Sequence, residues 1–295
     1  MRAIAAACLL APVGAWAHAP ESPAAGPSWT AWNTQPWLLF LLAVSLLFYA
    51  AGLLRLWRHA GAGHGIPVRQ AASFAAGWLA LVAALVSPLD AMGSLLFSAH
   101  MVQHEMLMIV AAPLLVLGRP LAAWTWALPA VYRMRLPALV RSRSLAWAWD
   151  AITQPVSAWA LHAIALWAWH APQLFEAALR SEGLHVLQHA SFFVTALLFW
   201  WAVLGPDARS RRAGLAMVLL FTTMMHTGAL GALLALAPTP WYPPYVDAAV
   251  ALGIDPVQDQ QLGGLVMWVP GSVAYLVVGL QVIANLLGRR AKAMA

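Results

Sequence analysis

The chain has almost no cysteine. Its single cysteine, Cys8, falls in an N-terminal leader, so the remainder has neither a disulfide nor a thiolate metal ligand. Copper relay through cysteine is thereby excluded within this chain. Charge is scarce too: Asp, Glu, Lys and Arg make up 9% of the 295 residues, whereas 62% are hydrophobic. No soluble globular domain has that balance, but a polytopic membrane protein does. The chain lacks an internal repeat, a dinucleotide fingerprint, a Gly-rich phosphate loop and a nucleophile elbow. A formal net charge of +6 would suggest nucleic acid only if the basic residues shared a soluble face, and they do not.

What is present begins with residues 1–17, which read as a cleavable secretory signal peptide: Arg2, an apolar run from Ala3, and Ala15-Trp16-Ala17 as a small-x-small cleavage site. Residues 18–35 are rich in Pro, Ser and Gly and are expected to be exposed and poorly ordered. Seven apolar stretches follow, at approximately 36–57, 70–88, 94–117, 150–170, 184–204, 213–236 and 262–287. Each approaches the roughly 20 residues needed to cross a bilayer. The expected fold is therefore all-α, a polytopic transmembrane bundle of seven spans, within a domain covering residues 36–290.

The basic residues set the expected orientation. Arg55, Arg58 and Arg69, then Arg119, Arg133, Arg135, Arg141 and Arg143, then Arg209, Arg211 and Arg212, then Arg289, Arg290 and Lys292 fall on one side, fourteen of the sixteen. By the positive-inside rule the N-terminus is outside and the C-terminus inside, in the inner (cytoplasmic) membrane of the cell. Glu21, Asp90, Glu176, Glu182, Asp247, Asp255 and Asp259 take the outer side, a surface suited to a cation or a basic partner. The connection 118–149 interleaves tryptophan with arginine and reads as amphipathic segments bound to membrane lipid headgroups. The connection 237–261, with Pro240, Trp241, Tyr242, Pro243, Pro244 and Tyr245, reads as a proline-fixed aromatic cap on the outer face.

Histidine is the residue out of place. His100 and His104 stand one turn apart on one helical face, and His185 and His189 repeat the spacing two spans later. Ionisable side chains inside a span are costly and usually line a polar site. The two pairs are expected to face one another across spans three and five at equal depth, in the outer half of the bundle. His170 ends span four near them, and His226 lies near the middle of span six, after Met224 and Met225. Imidazole and thioether suit copper, with carboxylates as outer partners. The candidate metal ligands are thus His100, His104, His185, His189, His170, His226 and Met101. Asp90, Asp259, Gln260 and Glu105 are candidate supports. Asp90 and Asp259 are each expected to accept an imidazole N–H, and the alternative for Asp259 is a cap on the last helix. Zinc ranks below copper for want of cysteine.

Six motifs carry a resemblance. Ser87-Pro88-Leu89-Asp90, His100-Met101-Val102-Gln103-His104, Ala112-Pro113-Leu114-Leu115, Trp169-His170-Ala171-Pro172, His185-x-x-Gln188-His189 and Asp259-Gln260-Gln261-Leu262-Gly263-Gly264-Leu265-Val266-Met267-Trp268 occur in order. Together they resemble the CtaG family of membrane-embedded cytochrome c oxidase assembly factors, over about residues 70–287. The resemblance implies a non-enzymatic role in maturing a haem–copper oxidase, supplying copper to its catalytic subunit. It does not fix the ligands, which rest on spacing and depth. Two alternatives stay open: a membrane redox protein or carrier with bis-histidine haem, and a copper permease.

Overall fold

A chain inside a bilayer must satisfy its own backbone hydrogen bonds, and continuous apolar runs do so as helices. The computed structural model describes residues 31–140, 143–205 and 213–294. The expected signal peptide, most of segment 18–35, and Arg141, Arg209, Arg211 and Arg212 lie outside the described residues. Among those described there is no strand. The helices are α1 (Pro36–Ala60), α2 (Val68–Leu85), α3 (Pro88–Gly93), α4 (Phe97–Leu117), α5 (Pro120–Ala127), α6 (Ala130–Val140), α7 (Arg143–Thr153), α8 (Pro155–His170), α9 (Pro172–Arg180), α10 (Glu182–Leu204), α11 (Ala213–Ala235), α12 (Pro244–Ala251) and α13 (Pro256–Met294).

Six of them are long and apolar enough to cross a membrane: α1, α2, α4, α10, α11 and residues Pro256–Gly288 of α13. The stretch expected as the fourth span, 150–170, is interrupted. Pro155 has no N–H to continue the preceding helix, so α7 stops at Thr153 and α8 starts afresh with Pro155 at its first position. The resulting α8 has 16 residues, about 24 Å of axis.

The packing is that of a multi-pass membrane protein. Large apolar side chains such as Phe40, Leu47, Ile164, Phe221 and Leu276 are exposed on the periphery, while Gln103, Gln188, Thr223 and several histidines are buried. Small residues let the helix backbones meet. A Cβ on Gly264 of α13 would stand 2.4 Å from Ala235 N and 2.6 Å from Gly231 O, so α11 and α13 touch along their backbones. Arg119 adopts a left-handed conformation at φ 53° and turns the chain back, so that α5 packs beside Gly52 of α1. The connection expected to lie along the membrane is thus three short helices, α5 to α7.

One irregularity positions the site. Residues Met106–Ala111 of α4 form a π-helical turn immediately after His104 and Glu105. Ala112 N–H donates to Leu107 O, one residue further back than in an α-helix, which leaves Met108 O free. The next amide, at position 113, belongs to proline and has no hydrogen to offer. Trp200 of α10 fills the gap, its Nε1–H donating to Met108 O at 2.8 Å. This bond ties α4 to α10, the two helices that carry the histidine pairs.

Candidate metal centre

The start of α4 is held from outside its own sequence. Leu96, its N-cap residue, has no side-chain cap, so the first amides of the helix need another acceptor. Asp259 of α13 supplies one: Phe97 N–H donates to its Oδ2 at 2.7 Å, and Ser98 donates to Oδ1 from both N–H and Oγ. Two turns of the capped helix then present His100 and His104. Opposite them, Ser181 accepts from Leu184 N–H at the start of α10, whose next turns present His185 and His189.

The two pairs meet as expected. Ring centroids lie 4.2 Å apart within each pair, and 5.4 Å, 5.5 Å and 5.1 Å apart for His100–His185, His100–His189 and His104–His189. His170, the last residue of α8, completes the group 5.9 Å from His104. Among the described residues, His100, His185 and His189 each bring one ring nitrogen to within 4.8 Å of the others, as three ligands around one ion would.

Their protonation follows from their partners. His100 Nδ1 faces Gly93 O at 3.3 Å, and His170 Nδ1 faces Leu166 O at 2.7 Å. A carbonyl only accepts, so each Nδ1 carries the hydrogen and each Nε2 presents a lone pair. Both lone pairs are buried without a partner. So are Nε2 of His185, Nε2 of His189 and both ring nitrogens of His104. Six ring nitrogens from three helices thus converge unsatisfied, each at a cost of about 1–3 kcal/mol. Gln188, wholly buried among them, also has no partner for either side-chain atom.

An aromatic lid closes the histidine end of the bundle. Phe175 of α9 packs 5.3 Å from His100 and 4.1 Å from Tyr242. Tyr242 donates its hydroxyl hydrogen to His170 O, and Tyr245 donates to Gly93 O, both at 2.9 Å. The proline-rich connection therefore lies over the site. His185 is the one member of the cluster that is not fully buried, and the charges of Asp90 and Glu182 act on it.

Several expected site residues stand elsewhere. His226 is not in the cluster: it sits on α11 against Trp159, with ring centroids 6.0 Å apart, because α11 faces α8 below the level of His170. Met101, one residue round the helix from His100, points the other way, and a Cβ on Gly263 of α13 would lie 3.1 Å from its Cγ. Glu105 also faces α13, with Oε2 buried and unpartnered, and a Cβ on Gly271 would lie 3.3 Å from it. Neither carboxylate expected to orient an imidazole does so. Asp90 accepts from Asn33 Nδ2 at 2.9 Å and from Gln103 Nε2 at 2.7 Å, while Asp259 caps α4 rather than its own helix. Gln260 braces the lid, accepting from Trp241 N–H at 2.6 Å. The aromatic Phe175 and the carbonyl of Gly93 carry no histidine-like signal and were not legible as parts of the site.

Residues 47–289 match the cytochrome c oxidase caa3 assembly factor family, Caa3_CtaG. The chain belongs to that family. It is also similar to uncharacterized proteins of Mycobacterium bovis and Mycobacterium tuberculosis, each 28% identical over 259 residues, 84% of this chain and 38% of the relative. An uncharacterized protein of Mycobacterium leprae is 27% identical over 278 residues, 90% of this chain and 41% of the relative. The chain thus spans about two fifths of the length of these curated relatives. No solved structure matches. The matched region of the family contains the whole histidine cluster and both helices that carry its pairs.

Proposed function

We propose that this member of the caa3 assembly factor family binds copper in the five-histidine cluster and assists its delivery to the catalytic subunit of a haem–copper cytochrome c oxidase. The reading makes it a non-catalytic factor of the inner membrane, with seven spans, α8 being the short one, and the cluster toward the outer side. The observation that carries it is the convergence of six unpartnered ring nitrogens in an apolar bundle. A cation shared among them would relieve acceptors that nothing else among the described residues satisfies. Imidazole without thiolate suits copper better than a structural zinc.

In this reading His100, His185 and His189 hold the ion, with His104 and His170 as neighbouring donors. His185, the least buried of the five, receives it from the side of Asp90 and Glu182, and returns it by ligand exchange to the oxidase subunit. A single ion is preferred to haem because the five rings pack closely against one another and against Phe175 and Phe192, the latter 4.7 Å from His104.

The test is a pair of measurements on the purified full chain. A competition titration with copper(I) should show tight binding that His189→Ala weakens by at least an order of magnitude, and the visible spectrum should show no haem Soret band. A chain isolated with stoichiometric haem, or one indifferent to His189→Ala, would contradict the proposal.

A further inference from the structure

We propose that His162 of α8 and His226 of α11 form a second metal site, separate from the five-histidine cluster, that takes a soft monovalent cation, copper(I), between two imidazole nitrogens. The site is argued from its own residues and shares with the reading above only the ion. His162 lies eight residues before His170 on the same helix, about 12 Å deeper along its axis.

Hydrogen bonding fixes its donor atoms. Thr195 of α10 has one hydroxyl hydrogen, which it donates to Ser191 O at 2.7 Å. Toward His162 Nδ1, at 3.1 Å, the same hydroxyl can therefore only accept. His162 Nδ1 thus carries the hydrogen, and its Nε2 presents a lone pair that is buried without a partner. An outer hydrogen bond of this kind, locking tautomer and ring orientation, is what metal-binding histidines characteristically have. His226 of α11 stands against Trp159, the residue one turn before His162 on the same face of α8, and both of its ring nitrogens are likewise buried and unpartnered. Trp159, one turn before His162, closes the site edge-on to His226, its own Nε1 also without a partner.

The choice of ion follows from what is missing around the two rings. Among the described residues the one carboxylate buried in this part of the bundle, Glu105, faces α13 rather than α8. The cost of desolvating an ion rises with the square of its charge, so a divalent ion with two neutral ligands would be poorly held in so dry a place. Copper(I) is monovalent, accepts imidazole, and needs few ligands.

The experiment loads the full chain in detergent with copper(I) under ascorbate and counts the copper retained against a competing chelator. Wild type should retain two equivalents, and His162→Ala/His226→Ala one. His226→Gln, which keeps size and polarity but offers no imidazole, should also retain one, so that a misfolded double variant does not decide the matter. His100→Ala/His189→Ala should keep one equivalent whose X-ray absorption shows two nitrogen neighbours. If the outer reading alone fails, wild type holds one equivalent that survives His100→Ala/His189→Ala and goes with His226→Gln. A His226→Gln protein that retains as much copper as wild type overturns the proposal.

Discussion

Asp259 caps a helix 161 residues away: its carboxylate takes the N–H and hydroxyl of Ser98, at the start of the helix that bears His100 and His104. The relationship couples the last span to the histidine-bearing face of the third. Removing the carboxylate strands two buried amides, so Asp259→Ala should destabilise the protein by about 1–2 kcal/mol. Asp259→Asn keeps one acceptor oxygen and should lose less. Thermal unfolding in detergent gives the order wild type, Asn, Ala. Equal midpoints for all three would remove the cap from the account.

Trp200 completes the π-helical turn of α4. In Trp200→Phe the ring packing is largely kept, but Met108 O loses the indole donor that reaches it in an apolar interior. A cost of about 1–3 kcal/mol is expected. Hydrogen exchange should rise locally around residues 106–112, and a uniform rise over the whole bundle would mean that the bond does not act there.

The α11–α13 crossing depends on glycine. Gly264→Ala places a methyl group 2.4 Å from Ala235 N, and neither backbone can give way without separating the helices. Folded yield should fall steeply. Gly279→Ala on the same helix meets nothing within 4 Å and should be neutral or stabilising by up to about 1 kcal/mol. Fluorescence-detected size exclusion of the two variants reads the difference, and similar profiles would count against close backbone packing.

Access to the cluster should be electrostatically assisted. Glu182 is exposed, its charge acts on His185, and its Oε1 accepts from Gln35 Nε2 at 2.8 Å. Glu182→Gln should slow copper association several-fold at low ionic strength, with the deficit shrinking as salt screens the charge. Stopped-flow uptake measures this. A deficit independent of salt would point to the Gln35 contact instead.

Much of this architecture is legible in sequence because bilayers constrain chains so strongly. His-x-x-x-His at helical spacing marks one face, that face cannot meet lipid, and two such faces at one depth find each other. The meeting of His100, His104, His185 and His189 follows from those steps. Other features depend on rotation about helix axes, which depth alone does not give. Met101 and Glu105 are sequence neighbours of the histidines but turn toward α13, and His226 lies at a level where α11 meets α8. Asp90 and Asp259 stand at the expected end of the bundle, yet their oxygens go to Gln103, Asn33 and the α4 amides, because unsatisfied backbone and amide donors compete with imidazole for any carboxylate. The interruption at Pro155 shows in the sequence as a proline, but an apolar window averages across it.

The central claim is that the cluster at His100, His185 and His189 holds copper. The most direct test is the copper(I) content of the purified full chain carrying His100→Ala/His189→Ala, beside wild type, with helicity checked by circular dichroism. The account predicts unchanged helicity and the loss of one equivalent of copper. A double variant that folds normally and binds as much copper as wild type, with the same affinity, would contradict it.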